Sequence, residues 1–496
     1  MYQYDMAIIG SGAGLMVMEA ALAKGMKCAL IEKSKIGGTC LTKGCIPSKM
    51  LVYPADMIRE TQTTSRIGLE FCEPVIDWET IAKRMWQQIN FSDKIKANLI
   101  STENLTVFGG TGEFTSPGTM KVKYDDGTYS EEFTAERFIV AAGARSFIPQ
   151  INGLDETGFI TSETFFGEKF PDKPWESLAI IGGGAIGVEF AHIFSAFGTR
   201  VTLVETKPHI ISTEEEEISD FVEKRFKEND VEIITGGRIV SVNKSGDKKI
   251  LLVENFKGRK TVSVDEIFIS SGIQSNGDLL QLDHAKIETD SRGWIVTNNY
   301  LESSQKNIWA LGDINGKFQF RHKANYEAGI LINNLFGDGE KKQANYGMVP
   351  WAIFTWPQVA HVGLTEKEAT ERGYKVFIGR NFYSDVAGGI AMGFRHGAGD
   401  NGFVKIIAAE DKKIIGVHIV GPNAAILVQP FVYLMISGYQ CKCTQIKEKL
   451  DKSEHQYNTK EVCPQIGTYL PIADSMVIHP SLSELTAWAI DNIDWN

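Results

Sequence analysis

An α/β fold is predicted by three observations: two glycine-rich turns, each entered from an apolar strand, each running into a helical pattern and each followed by an acidic strand end, and a chain of 496 residues, too long for one core. The pattern reads as two Rossmann-like dinucleotide-binding domains followed by a C-terminal α+β domain.

The first turn is Gly10-Ser11-Gly12-Ala13-Gly14. An apolar strand at 6–9 leads in, a helical pattern runs on toward Gly25, and a second strand at Cys28–Ile31 ends at Glu32. Gly10 permits the tight turn and Gly12 lets the backbone approach a pyrophosphate, while the following helix offers unpaired N–H groups to it. Glu32 stands where a carboxylate accepts hydrogen bonds from an adenosine ribose. Leu15 occupies the third glycine position of the fingerprint, and Gly14 is placed to compensate in part.

The second turn, Gly182-Gly183-Gly184-Ala185-Ile186-Gly187, carries the full fingerprint. A strand at 178–181 precedes it, a helix at 188–197 follows, and a strand at 201–204 is closed by Glu205. A carboxylate there binds an adenosine 2′-hydroxyl and repels a 2′-phosphate, so NAD is expected over NADP. Two dinucleotides on one chain imply an electron relay. A third apolar strand at 307–310 ends in Leu311-Gly312-Asp313, and His322-Lys323-Ala324 opens a helix. Such an acid can hold the ribityl chain of a flavin, and alone it is equally an ordinary strand-to-loop acid. Together with the first turn it suggests that the first domain is interrupted by the second and resumes near Gly272.

Directly after Glu32 the chain reads Gly37-Gly38-Thr39-Cys40-Leu41-Thr42-Lys43-Gly44-Cys45-Ile46-Pro47-Ser48-Lys49. Two cysteines at this spacing cannot be bridged on a straight helix, because bridged Cα atoms lie about 4.4–6.8 Å apart. A disulfide would need a bend, which Gly44 permits. A thiolate here would gain from a helix N-terminus and a nearby cation. The alternatives are two buried thiols or half a metal site. Near the C-terminus, Ile478-His479-Pro480-Ser481-Leu482-Ser483-Glu484 sets a carboxylate five residues after a histidine. Imidazole can take and return a thiol proton near neutral pH, and Glu484 could fix its tautomer. Read alone, His479 is more often a satisfied surface histidine than a catalyst.

Bulk properties narrow the class. Hydrophobic content of 43% with 23% charged residues is that of a water-soluble globular protein, and the net charge of −11 offers no basic face for nucleic acid. No secretory pattern or apolar run long enough to span a bilayer is visible, so a cytoplasmic protein without membrane association is expected. Seven cysteines, an odd number in a long chain, do not suggest an extracellular disulfide framework.

On Gly-Gly-Thr-Cys-x4-Cys-Ile-Pro-Ser-Lys, the paired glycine turns and His-Pro-x3-Glu, the chain resembles the class I pyridine nucleotide-disulfide oxidoreductases, which include dihydrolipoamide dehydrogenase, glutathione reductase, mycothione reductase and mercuric reductase. The resemblance covers nearly the whole chain. It implies FAD and NAD as cofactors, with Cys45 as the thiolate against the flavin and Cys40 as the thiol that exchanges with substrate. It pairs Lys49 with Glu189 beside the reactive end of the flavin, and makes His479 and Glu484 an acid-base dyad supplied by the partner of a homodimer. Lys33, Gly38, Thr39, Gly112, Gly143, Gly272 and Ala324 join the turn residues, Glu32 and Asp313 as expected cofactor contacts. The implied domains are flavin-binding (1–154 and 272–346), NAD-binding (155–271) and interface (347–496).

Residues 440–470 look like an insertion. A surface excursion is its simplest reading, with a thiol relay or zinc site from Cys441, Cys443, Cys463 and His455 as the alternative. Its spacing matches no standard zinc set, and no metal is expected. Ala142 and Gln274 also depart from the usual pattern, without removing a catalytic group. Glu205 favours dihydrolipoyl dehydrogenase, with a small or carrier-bound dithiol as substrate and a 2-oxo acid dehydrogenase complex as a candidate partner. The stretches Glu189-Phe190-Ala191-His192, Ser384-Asp385-Val386-Ala387 and Leu427-Val428-Gln429-Pro430 look more like mycothione reductase, a low-molecular-weight disulfide reductase.

Overall fold

The computed structural model describes residues 2–410, 414–440 and 475–479. It forms two compact units, one of Met1–Thr63, Glu70–Ser212 and Phe226–Asn345, the other of Thr64–Leu69, Thr213–Arg225 and Tyr346–Asn496.

The first unit holds two parallel sheets. In one, Tyr4–Ile9 lies between Cys28–Ile31 and Phe133–Val140, with Leu105–Phe108 outside the former and Ile308–Ala310 outside the latter. The strand that ends before Gly312-Asp313 thus pairs into the sheet that carries the first glycine turn. Its three central strands are apolar and buried toward their carboxyl ends, where both faces are covered; Ala7, Ile9, Ala29, Ile31, Phe138 and Val140 share one core. In the other sheet, Ser177–Ile181 is flanked by Arg200–Val204 and Glu266–Ile269, with Glu232–Ile234 beyond. A short antiparallel ribbon, Ala144–Ser146 against Ile273–Ser275, joins the chain's exit from the first sheet to its return.

Both glycine turns therefore sit at carboxyl ends of parallel strands, where a doubly wound sheet binds ligands. The helix after the first runs over Gly14–Ala23, and that after the second over Ala185–Ala196, beginning three residues before the start expected from the apolar pattern. Gly184 caps this helix in an extended conformation, and Ala185-Ile186-Gly187 open its first turn.

The second unit is built on a five-stranded antiparallel sheet in the order Trp351–Ile353, Val359–Gly363, Ile414–Val420, Phe403–Ala409, Val376–Phe382. Phe403–Ala409 alternates buried and half-buried side chains, as a strand does when only one face meets the core. The helix Gln429–Gln440 contributes Val432, Met435 and Ile436 to a core with Val417, Ile419 and Ile478. Among the described residues no helix is long and apolar enough to cross a membrane.

Candidate active site

The first turn is tight. Gly10 has φ +98°, and a Cβ on it would lie 2.3 Å from the Ala141 carbonyl oxygen, so only glycine fits. Glu32 bends back over the turn, and one carboxylate oxygen accepts hydrogen bonds from the Ser11 amide (2.9 Å) and hydroxyl (2.7 Å). The cysteine segment rests on the same turn. A Cβ on Gly38 would come 2.7 Å from the Gly12 Cα, so its glycine-glycine start allows the two backbones to touch. Lys33 and Thr39 are exposed.

The expected bend between the cysteines is present. Cys40 lies in the short helix Gly38–Thr42, the chain breaks at Lys43-Gly44, and Cys45 begins the helix Cys45–Thr63. Gly44 is needed for a close approach, since a Cβ there would press on the Thr39 carbonyl oxygen at 3.2 Å. The two Sγ atoms lie within 4.8 Å of one another. A thiolate at Cys45 would face the unpaired N–H groups and positive dipole of its own helix. One turn on, Lys49 Nζ lies 2.7 Å from Glu189 Oε2, and both side chains are mostly buried. Glu189 belongs to the helix of the second glycine turn, so this pair ties the dithiol helix to the other nucleotide unit.

Asp313 lies in the turn after Ile308–Ala310, directly before the helix Arg321–Phe336. Burial pushes its carboxyl up to about 6, against the pull of Lys323, with Cys45 and Glu327 adding to the rise. The turn is braced from inside. Lys323 and Glu327 are fully buried 3.1 Å apart; Lys323 donates to the Gly312 carbonyl and Asn315, while Glu327 accepts from the Gly312 amide and Asn315. Deleting one member of such a buried pair costs about 3–5 kcal/mol. Ala324 packs over Gly312, where a Cβ would stand 3.6 Å from the Ala324 methyl. Gly112, Gly143 and Gly272 lie on or beside strands of this unit, the last two at φ +67° and +117°.

The second turn repeats the plan more closely packed. Gly182 has φ +111°, and a Cβ on Gly187 would fall 1.9 Å from the Gly182 carbonyl oxygen. Gly184 has open space on its side-chain face, where a phosphate can approach the helix N-terminus. Glu205 accepts from the Gly183 amide at 2.7 Å, and its other oxygen from the Lys207 amide at 2.8 Å. The two turns thus share a positive-φ first glycine, a helix that starts directly after the loop and an acid folded back onto the loop, the arrangement a dinucleotide needs.

Residues 4–328 match the family model for pyridine nucleotide-disulphide oxidoreductases, and residues 349–448 match that family's dimerisation domain. The chain belongs to this family. It is 31% identical to a mycothione reductase of Mycobacterium tuberculosis over 447 residues, 88% of this chain and 94% of that protein. It is 34% identical to a dihydrolipoyl dehydrogenase of Chlorobaculum parvum over 466 residues, 92% and 94% of the two chains. The HOCl-induced flavoprotein disulfide reductase RclA of Escherichia coli, solved as a Cu(II) complex, superposes with a TM-score of 0.77 at 25% identity, over 94% of this chain and all of that one. The protein is accordingly an FAD-dependent oxidoreductase that uses NAD(P)H and a redox-active disulfide, and its dimerisation domain supports a homodimer.

In this oxidoreductase the dithiol and both glycine turns belong to the first compact unit, and His479 to the second. The preceding residue, Ile478, is buried, and its amide donates to the Gln429 side chain at 3.1 Å, which anchors the segment that carries the histidine. Glu484, Cys441, Cys443, Cys463 and His455 lie outside the described residues. A further cofactor candidate, which no sequence motif marks, is Arg321, whose guanidinium would lie 3.7 Å from a Cβ on Gly12. A cation in a helix's first turn opposes the macrodipole, which is the signal that it faces an anion.

Proposed function

We propose that the protein is a dihydrolipoyl dehydrogenase, in which electrons pass from a dihydrolipoyl dithiol through Cys40 and Cys45 to FAD and on to NAD. The observation that carries the NAD assignment is Glu205, whose carboxylate is held at the second turn by the Gly183 and Lys207 amides. A 2′-phosphate there would meet a fixed negative charge.

FAD, when bound, supplies the two-electron carrier between dithiol and nicotinamide. The chain's own part is thiol exchange. A substrate thiolate attacks the Cys40 sulfur of the Cys40–Cys45 disulfide and forms a mixed disulfide, releasing Cys45 as a thiolate at its helix N-terminus. The second substrate thiol gives its proton to His479, attacks the sulfur joined to Cys40, and leaves as the cyclic disulfide; Cys40 departs as a thiolate, and the chain holds the two electrons as a dithiol. Glu484 orients the imidazole and stabilises its cation. Lys49, fixed by Glu189, keeps a positive charge one helical turn from Cys45. Gly10, Gly12, Gly14, Glu32 and Asp313 hold the flavin, Gly182, Gly184, Gly187 and Glu205 the NAD. The domain division at 154, 271 and 346 follows this assignment, and a carrier arm of a 2-oxo acid dehydrogenase complex is the candidate donor.

The second reading is an NAD(P)H-linked reductase of a low-molecular-weight disulfide, favoured by the mycothione reductase relative. The deciding assay supplies purified holoenzyme with NAD and dihydrolipoamide and follows NADH absorbance, with Cys45→Ser as control. A rise that the variant loses supports the first reading. No rise, in an enzyme whose flavin NADH still bleaches, moves the substrate to another disulfide.

A further inference from the structure

A cluster remote in sequence from every motif above lies inside the second unit. His361 on Val359–Gly363 and His418 on Ile414–Val420 are register partners across two antiparallel strands, so their side chains leave the sheet on one face. Glu214, which leads into the helix Glu216–Glu228, reaches between them. The three are almost wholly buried, at 6%, 0% and 7% exposure.

Their hydrogen bonds dictate which ring nitrogen is available. His361 Nε2 donates to the Gly363 carbonyl at 2.9 Å, and His418 Nε2 to the Leu364 carbonyl at 3.0 Å. A carbonyl only accepts, so each Nε2 carries a hydrogen, and each Nδ1 of a neutral ring presents a lone pair. Both Nδ1 atoms point at Glu214: His361 Nδ1 is 3.2 Å from Oε2, and His418 Nδ1 is in contact with Oε1. Nitrogen lone pairs and carboxylate lone pairs repel, so positive charge must lie among them. Glu215, 3.7 Å from His418 Nε2, is on the other side of that ring and already accepts from Lys405 and the Glu366 amide.

We propose that Glu214, His361 and His418 form a binding site for one divalent transition-metal ion of the zinc class. Two imidazoles and a carboxylate are a standard zinc donor set, and an Nε2–H bond to a backbone carbonyl is the usual outer support of a ligating histidine. Their ligand atoms all lie within 4.8 Å of one another. Bonds of about 2.0 Å in a tetrahedron place donors about 3.3 Å apart, close to the 3.2 Å between His361 Nδ1 and Glu214 Oε2, and the closer His418–Glu214 contact would widen to admit the ion. A water would complete the tetrahedron. The burial suits a structural ion, which would clip the 213–225 segment to two adjacent inner strands of the sheet.

The test uses the full-length flavoprotein, stripped with a chelator, reloaded with zinc chloride and gel-filtered. The expected result is about one zinc per chain, a melting temperature raised by about 4 °C or more, and an X-ray absorption shell of nitrogen and oxygen near about 2.0 Å without sulfur near about 2.3 Å. His361→Gln and Glu214→Gln should lose that zinc and the thermal shift while keeping their flavin. Zinc uptake no greater than in these variants would show that a proton on each Nδ1 supplies the charge, and a sulfur shell would place the ion on the cysteines; either overturns the proposal. The absorption shell and melting shift of the unsubstituted protein decide the matter if a variant fails to fold.

Discussion

The two glycine turns follow one plan but differ in how much they tolerate. In the second, a Cβ on Gly187 would collide with a backbone oxygen at 1.9 Å. In the first, the glycine nearest to that role is Gly14, whose Cβ would meet two side-chain methyl carbons, Ile8 Cγ2 at 2.9 Å and Ala141 Cβ at 3.0 Å. Side chains yield where backbone does not. The third glycine is thus demanded by how closely the helix passes its strand, and the first turn can carry Leu15 because Gly14 already meets that demand.

The largest effect expected from this difference is in Gly187→Ala, which should raise the KM for NADH about 10- to 100-fold with flavin content unchanged. Gly14→Ala should cost some flavin on gel filtration and leave the KM for NADH alone. Equal damage from the two would break the comparison. The acids sharpen it next. Glu205→Gln removes the charge that meets a 2′-phosphate, and the preference for NADH over NADPH should fall about tenfold, whereas Glu32→Gln should leave that ratio untouched and loosen the flavin.

Asp313 adds a pH dependence to the first site alone. Its folded value, about 6, lies above the ordinary 3.8. Its proton therefore stabilises the flavin-free protein at low pH, and that contribution is lost as pH rises through about 6. Where the hydroxyls of a bound flavin would donate to the carboxylate, FAD binding to apoprotein should weaken about tenfold between pH 7 and pH 5, and Asp313→Asn should flatten the profile. Fluorescence titration of apoprotein with FAD measures both. The smallest change is Leu15→Gly, where loss of helix propensity costs about 1 kcal/mol and the melting temperature should fall slightly with FAD affinity kept.

Much of this was legible in local sequence. Cys28–Ile31 closes on Glu32 as its apolar run implies, and the bend at Lys43-Gly44 follows from what two cysteines at that spacing require. What was not legible depends on residues far apart in the chain. Gly38 is explained by its contact with Gly12, and Arg321 reaches the same turn from a helix some three hundred residues later. The Glu214 cluster is the extreme case, its histidines 147 and 204 residues from the carboxylate, a spacing that no ligand motif contains. Each of the three looks ordinary among its sequence neighbours; the register of two strands pairs the histidines, and the segment before the helix Glu216–Glu228 brings Glu214 to them.

The central claim is that one chain relays electrons between two dinucleotides through a cysteine pair. Anaerobic reductive titration of the oxidised holoenzyme counts the carriers directly. About four electrons per chain, two in the flavin and two in Cys40–Cys45, with about two in Cys45→Ser, is the predicted result. Uptake of only about two electrons by the unsubstituted enzyme would contradict it.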